Sequence, residues 1–581
     1  MHPLGGAWSA LALVAAMACA PAARAQPSPQ QLQDIQRQQE SIQQQEQQRL
    51  QEQLRRQDPA RRPPGGVDPG LAPSGTDGTV PGPCSVVNAI RLEGADRLGA
   101  QEQAQLTAPF IGQCVGLKEI GELMRLITNR YIELGLVTTR VYIPQQDLGQ
   151  GTLRLLVLEG KVGELRLEDP ASRVHLASAF PGLRGRVLNI RDIEQGLDQI
   201  NRLRSNNAAM ELQPSTDPGL TNIVITNQPG SWVSGSLTFD NYGSPSTGDI
   251  RATGTLSLDN PLGLNDAWFV SLSRNTDAHP GSRLSESSLL SVNFPYGYWN
   301  FLASASNSRY NSVVASATQR FNSTGETDTY NLGVQRVLLR GQTSKLTLNV
   351  GLTHKDSRNY IEGSLLTTGS PKLTDVQVGL TSVFFAGGGF WTIDGGVSKG
   401  LSLFGVEELP GAGTGTIPTT RWLRFQGSVS YGRPFKVADL DANWSSTLQG
   451  QTSRDYLYGS EQISVGGLYT VRGFDGSSLS GDRGVYWRND LSVLLPASQD
   501  AGVARWFGRL QPYLGVDVGH ISGRAGQAGG TLAGMVLGLR GVGGRLGFDV
   551  GYGAPVHTPS VLKQRGNVEN HALYARVTLG F

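Results

Sequence analysis

From Trp232 to Phe581 the chain alternates between apolar and polar residues. Leu237 and Phe239 are interleaved with Ser236, Thr238 and Asp240. Leu346, Leu348, Val350 and Leu352 are interleaved with Thr347, Asn349, Gly351 and Thr353, and Leu573, Ala575, Val577, Leu579 and Phe581 with Tyr574, Arg576, Thr578 and Gly580. A period of two gives a strand one apolar and one polar face, and clusters of Gly, Asn, Asp, Ser and Pro separate one such segment from the next. Upstream the period changes. Leu117, Ile120, Met124, Ile127, Tyr131 and Leu134 recur at three and four, which predicts a helix closed by Gly135. Strands are predicted around it at 86–92, 137–143 and 152–158. The same order returns as a strand at 162–167, a helix bearing Ile190, Ile193, Leu197, Ile200 and Leu203, and strands at 208–213 and 220–226. The chain thus holds two tandem copies of one α/β unit, over 84–160 and 161–230, whose helical stripes form their cores.

The alternating region, 231–581, has no helical period. A soluble β-sandwich also alternates, but such domains rarely exceed roughly 250 residues. A transmembrane β-barrel accounts for the pattern better: the apolar face meets lipid, the polar face meets a watery lumen, and closure satisfies every backbone hydrogen bond. After the N-terminal leader no run of 18 apolar residues occurs, so a membrane span has to be built from strands. Trp232, Trp268, Trp299, Trp391, Trp422, Trp444 and Trp487 stand near expected strand ends, where interfacial girdles form.

The N-terminus begins with a secretory signal, 1–25, with an apolar run over 11–20 and the small-x-small site Ala23-Arg24-Ala25. Cys19 raises a lipoprotein alternative, but Ala16-Met17-Ala18 lacks the expected leucine, and cleavage after Ala25 removes the cysteine. Residues 26–58 are rich in Gln, Glu and Arg. Their apolar residues Leu32, Ile35, Ile42, Leu50 and Leu54 fall in a sector of roughly 120° on a helix, giving a polar helix with one narrow stripe. Two readings stand side by side: this helix, or a disordered or weakly coiled-coil tail. The Pro- and Gly-rich stretch 59–83 is a linker. In the oxidising compartment implied by the signal, the two remaining cysteines, Cys84 and Cys114, read as a disulfide, since a metal site needs more ligands.

Composition narrows the function. Lys and Arg number 50 against 48 Asp and Glu, a net charge of +2, so nucleic acid is not an expected partner. Gly is 75 of 581 residues but shows no collagen period. Gly396-Val397-Ser398-Lys399-Gly400 matches the nucleophile-elbow pattern, yet it lies in an alternating stretch with no helix to follow the serine. The histidines are scattered, and neither a zincin pair nor a phosphate-binding loop is present. Neither catalysis nor a cofactor or metal is expected.

The most specific segment is Gly466-Gly467-Leu468-Tyr469-Thr470-Val471-Arg472-Gly473-Phe474, followed by Ser480-Gly481-Asp482-Arg483-Gly484 and Arg488-Asn489-Asp490-Leu491. Here the sequence resembles the TpsB outer-membrane transporters of two-partner secretion. Asp259-Asn260-Pro261-Leu262-Gly263-Leu264-Asn265-Asp266 resembles the family's early barrel motif. The stretch 137–148 resembles the end of its first POTRA domain, where many members carry a cysteine pair like Cys84 and Cys114. The resemblance implies a mainly β fold: a 16-stranded transmembrane barrel preceded by two POTRA domains and an N-terminal plug helix. About 22 residues per strand and connection are available, enough for spans of roughly 9–11 residues.

The resemblance further implies that the loop Val471-Arg472-Gly473-Phe474 folds into the lumen, where Arg472 meets an acidic residue of the wall. Alternation with Leu514, Val516 and Val518 turns Asp517 inward; Asp549 also points inward and is the alternative. Such a pair sits in water and stabilises only modestly unless dehydrated. Phe581 has two compatible readings: a lipid-facing residue that completes the alternation and, as the family's wider class implies, the signal read by the barrel-assembly machinery. A transporter of this class is a monomer in the outer membrane of a Gram-negative bacterium, with its POTRA domains in the periplasm. Its partner is one large secreted exoprotein, an adhesin, haemolysin or contact-dependent toxin, captured by the POTRA pair. The rivals are an outer-membrane assembly factor and a barrel enzyme.

Overall fold

The computed structural model describes residues 29–68, 70, 84–277, 279, 282–315, 320–565 and 568–581. The expected signal segment, 1–25, and most of the expected linker, 69 and 71–83, lie outside them. The described residues form a helix, Pro29–Gln57, two small α/β units and a closed barrel of sixteen antiparallel strands, with the two-residue strand Ser364–Leu365 pairing back on one of them. None of the described helices is long and apolar enough to cross a membrane.

The two units share one topology. In the first, Thr152–Leu158 is central, parallel to Ala89–Glu93 and antiparallel to Arg140–Tyr142. In the second, Leu220–Asn227 is central between Lys161–Leu167 and Ala208–Pro214 in the same senses. The helix Leu117–Glu133 buries Ile120, Leu123, Ile127 and Tyr131 on the first sheet, and Ile190–Asn201 buries Ile193 and Ile200 on the second. Leu117, at the first turn of its helix, is 79 % exposed and belongs to no core. Ala100–Thr107 is a further helix, and Cys84 is disulfide-bonded to Cys114, joining the start of the first unit to the strand that precedes its second helix.

The barrel runs from Val233–Asp240 to Ala572–Gly580, which pair with each other to close it through Arg576–Asp240 at one end and Gly580–Ser236 at the other. Leu237, Phe239, Leu514, Val516, Val518, Leu573, Val577 and Leu579 are exposed on the outer face, while Asp240, Arg251 and Asp517 are buried on the inner one. The strand period thus produces an apolar exterior around a polar interior. Trp391, Tyr431 and Trp444 contact one another on the outside near the barrel's α/β-unit end, with ring centroids 4.3 and 5.6 Å apart. Trp422 departs from the girdle expectation: it is fully buried with Leu373, Leu457 and Tyr458 beneath the loops at the opposite end.

The second unit is locked to the barrel rim by Asp259–Asp266. Asn260 and Asn265 adopt left-handed backbone, at φ 58° and 57°, which asparagine tolerates better than most residues. Asn265 donates to the His175 carbonyl (2.8 Å) and accepts from the His175 amide (3.1 Å), Asn260 donates to the Arg173 carbonyl (2.6 Å), and Asp259 accepts from the Ser205 amide (2.8 Å). Asp266 is fully buried and accepts from the Trp268 indole at 2.7 Å. The motif therefore fixes the orientation of the unit under the pore.

Candidate functional site

Pro29–Gln57 lies inside the barrel. Between its first residue and its last it has neither Gly nor Pro, its residues are mostly good helix formers, and Arg55 and Arg56 complement the dipole in the last turn. A helix this polar has almost no apolar surface to bury, so it meets the wall through hydrogen bonds. Gln39 donates to Ser323 (2.8 Å), Gln43 to Asn359 (3.0 Å) and Gln45 to the Tyr242 carbonyl (3.2 Å), while Arg49 donates to Ser287 and pairs with Glu46. Its stripe supplies one apolar seat, where Ile35 packs against Phe321 and Ile361 at the end far from the α/β units. At the other end Gln335 donates to Asp58 (2.8 Å) and Arg61 pairs with Asp394 (2.7 Å). The chain then leaves between the rim and the second unit, where Arg340 is 2.5 Å from Asp198 and the Val67 amide donates to Glu194 at 2.7 Å.

The loop between strands Leu440–Ser453 and Gly484–Leu494 folds into the same lumen. A short hairpin, Ile463–Val465 with Leu479–Gly481, stiffens it, and Val471 and Phe474 are buried with Leu479, Ile521 and Leu532. The Arg472 guanidinium spans Asp517 with both ends of its fork, Nε at 2.6 Å and Nη2 at 2.7 Å, and its backbone amide donates to the same carboxylate at 3.0 Å. Nη1 reaches Asp490 at 2.7 Å. Arg472 and Asp517 are 2 % and 1 % exposed. The pair is thus dehydrated, unlike the wet pair expected of an open lumen, because the loop itself and the glycines of the wall exclude solvent. A β-carbon at Gly534 would collide with the Arg472 carbonyl. Gly473 holds φ at 95° and donates its amide to Tyr574 at 2.9 Å, in a place where a side chain would strike the Ala554 carbonyl.

Asp549 stands apart from the loop, accepting from Tyr513 at 2.9 Å and pairing with Arg540 at 3.1 Å. Asp490 was readable from the sequence: it alternates with the exposed Trp487 and Leu491 as Asp517 does with its neighbours. The loop has a second anchor with no such signal. Glu461 is buried between Lys355 (2.5 Å) and Arg424 (2.7 Å) of the far wall. Plug and loop also touch each other: Ser480 donates to Gln44 at 2.6 Å, and Gln44 donates to the Gly459 carbonyl at 2.7 Å. Ser398, of the elbow-like pattern, is a buried wall residue 3.3 Å from Arg424. Phe581 is 76 % exposed at the barrel's edge. Among the described residues no cluster of potential metal ligands exists.

A sixteen-stranded barrel with paired α/β units at its mouth, a polar helix in its lumen and an inward-folded loop defines an outer-membrane transporter of two-partner secretion. Comparison with known proteins agrees. A ShlB-type POTRA model matches residues 86–160 and a second POTRA model 161–214. With residues 219–541 matching its model, the chain belongs to the haemolysin secretion/activation protein family ShlB/FhaC/HecB. The outer membrane transporter CdiB of Escherichia coli is 36 % identical over 504 residues, covering 86 % of this chain and 83 % of that one. The hemolysin transporter protein ShlB of Serratia marcescens is 32 % identical over 448 residues, covering 77 % of each. The solved structure of CdiB from Escherichia coli superposes with a TM-score of 0.83 at 34 % identity, covering 96 % of this chain and all of that one.

Proposed function

We propose that the transporter exports one large exoprotein, an adhesin, haemolysin or contact-dependent toxin, as an extended chain through the lumen that the helix now occupies. The observation that carries this reading is the nature of the plug's contacts. A permanent core element is held by apolar burial, whereas this helix, apart from one apolar seat at Ile35 and the charged contacts of Glu46 and Arg49, is held by amide and hydroxyl hydrogen bonds, each worth about 0.5–1.5 kcal/mol net and replaceable by water once the lumen floods. The linker lets the helix leave without unfolding the barrel. The POTRA pair captures the cargo in the periplasm, where an exposed strand edge accepts extended chain by β-augmentation. With no nucleotide site in the sequence, folding of the cargo outside supplies the direction. The protein acts as a monomer without catalysis, and Phe581 is its signal to the barrel-assembly machinery.

The test is comparative mass spectrometry of extracellular and surface protein from cells with and without the gene. Loss of one very large exoprotein, restored by the wild-type gene, supports the dedicated exporter and names its cargo. A broad loss of other barrels would point instead to an assembly factor, and an unchanged secretome under expressing conditions would contradict export.

A further inference from the structure

The short helix Ala501–Phe507 joins strands Gly484–Leu494 and Arg509–Ile521 at the periplasmic end of the barrel. Seven residues cannot hold a helix in isolation. This one is held by Asp500, which accepts from the Gly502 and Val503 amides at 2.7 and 2.9 Å, and is ended by Gly508 at φ 65°. Val503, Trp506 and Phe507 stand at i, i+3 and i+4, hence on one face, and are 45 %, 47 % and 40 % exposed.

The direction of that face is set by the barrel. Asp549 is tied to the inner wall by Tyr513 and Arg540, so its neighbour Phe548 points to lipid. Phe507 meets Phe548 edge-on, with centroids 6.4 Å apart, and Gly541 leaves room beneath the Phe548 ring. Leu510 and Leu539 are exposed on the same outer wall. The helix therefore continues the lipid-facing belt beyond the strand ends. Two exposed arginines flank it: Arg505 in its last turn, and Arg545, whose amide donates to the Arg505 carbonyl at 3.1 Å. Asp500 caps the helix, and Asp441 lies 3.9 Å from Arg509.

We propose that Ala501–Phe507 is an interfacial anchor for the periplasmic leaflet, with Val503, Trp506 and Phe507 in the acyl boundary and Arg505 and Arg545 on the phosphate of an anionic phospholipid. The arrangement has the features of membrane-surface helices: an aromatic apolar face, basic residues beside it and continuity with a hydrocarbon-facing surface. The strand that carries Asp517 begins directly after Gly508, so the anchor fixes the height at which that wall stands.

The full-length protein tests this with Val503→Cys carrying a polarity-sensitive fluorophore, Cys84 and Cys114 being joined to each other. In phosphatidylcholine bilayers containing phosphatidylglycerol, the label is expected to be quenched several-fold more by chain-brominated lipid than by aqueous iodide. Lipid co-purified with Arg505→Ala/Arg545→Ala is expected to lose its enrichment in phosphatidylglycerol. A label quenched by iodide and not by lipid would overturn the anchor. A label shielded from both would show that protein covers the face, with the same consequence. Unchanged phosphatidylglycerol enrichment in the double variant would overturn the anionic-lipid assignment.

Discussion

Arg472 and Asp517 meet through both nitrogens of a guanidinium fork and both oxygens of one carboxylate, on a part of the lumenal wall from which water is excluded. Removing one partner of such a buried pair leaves the other charge without compensation, at a cost of about 3–5 kcal/mol. Arg472→Ala and Asp517→Asn should each leave a folded, inserted barrel, since sixteen strands hold it independently of the loop, and should reduce secretion at least tenfold. Arg472→Lys should resemble the alanine variant, because an ammonium cannot span the carboxylate. Secretion assays alongside heat-modifiability on gels separate the two effects.

The second anchor should behave differently. Glu461→Gln removes the carboxylate charge that Lys355 and Arg424 share, so one end of the loop is released while Arg472 still holds the other. Channels of this variant in planar bilayers should show noisier open levels than wild type and a mean conductance closer to it than that of a plug deletion. Hydrogen exchange should rise over 459–465 and not over 471–474.

Deleting Pro29–Gln57 should raise the single-channel conductance several-fold, because the helix occupies lumen that the wall does not fill. Unchanged conductance would mean that another element blocks the pore.

In the first POTRA domain the Cys84–Cys114 bridge spans a sequence separation of 30. The chain-entropy model gives a bridge of that span roughly 3–4 kcal/mol. Cys84→Ser/Cys114→Ser should therefore lower the melting temperature of the periplasmic part and leave barrel insertion unchanged. Differential scanning calorimetry resolves the two transitions.

What the sequence revealed follows from periodicity. Strands of period two and helices of period three to four announce themselves, so the barrel, both α/β units and the inward direction of Asp517 were legible. Asp490 carries the same signal, alternating with the outward Trp487 and Leu491. Glu461 carried none, since it sits in a loop without period and meets Lys355 and Arg424 only once the barrel has closed. Helix Ala100–Thr107 is Gln-rich and short, without an apolar stripe to mark it. Trp422 is the converse case: a tryptophan beside a strand end suits a girdle, but this one is roofed by loops whose paths no local pattern encodes. For the plug helix, the sequence supplied the polarity and the stripe. Its partners on the wall come from strands hundreds of residues away.

Cargo can pass only once the helix has left the lumen. A β-carbon at Gly459 would lie 2.8 Å from the γ-carbon of Glu40, within the reach of a disulfide. Cells carrying Glu40→Cys/Gly459→Cys should therefore form a lock between plug and loop, with each single variant as control under the same oxidant and reductant. The decisive measurement is secretion of the exoprotein by the locked and reduced forms. Export blocked when the bridge forms and restored when it is reduced is the expected result. Normal export by cells in which gel mobility shows the bridge complete would mean that cargo passes with the helix in place.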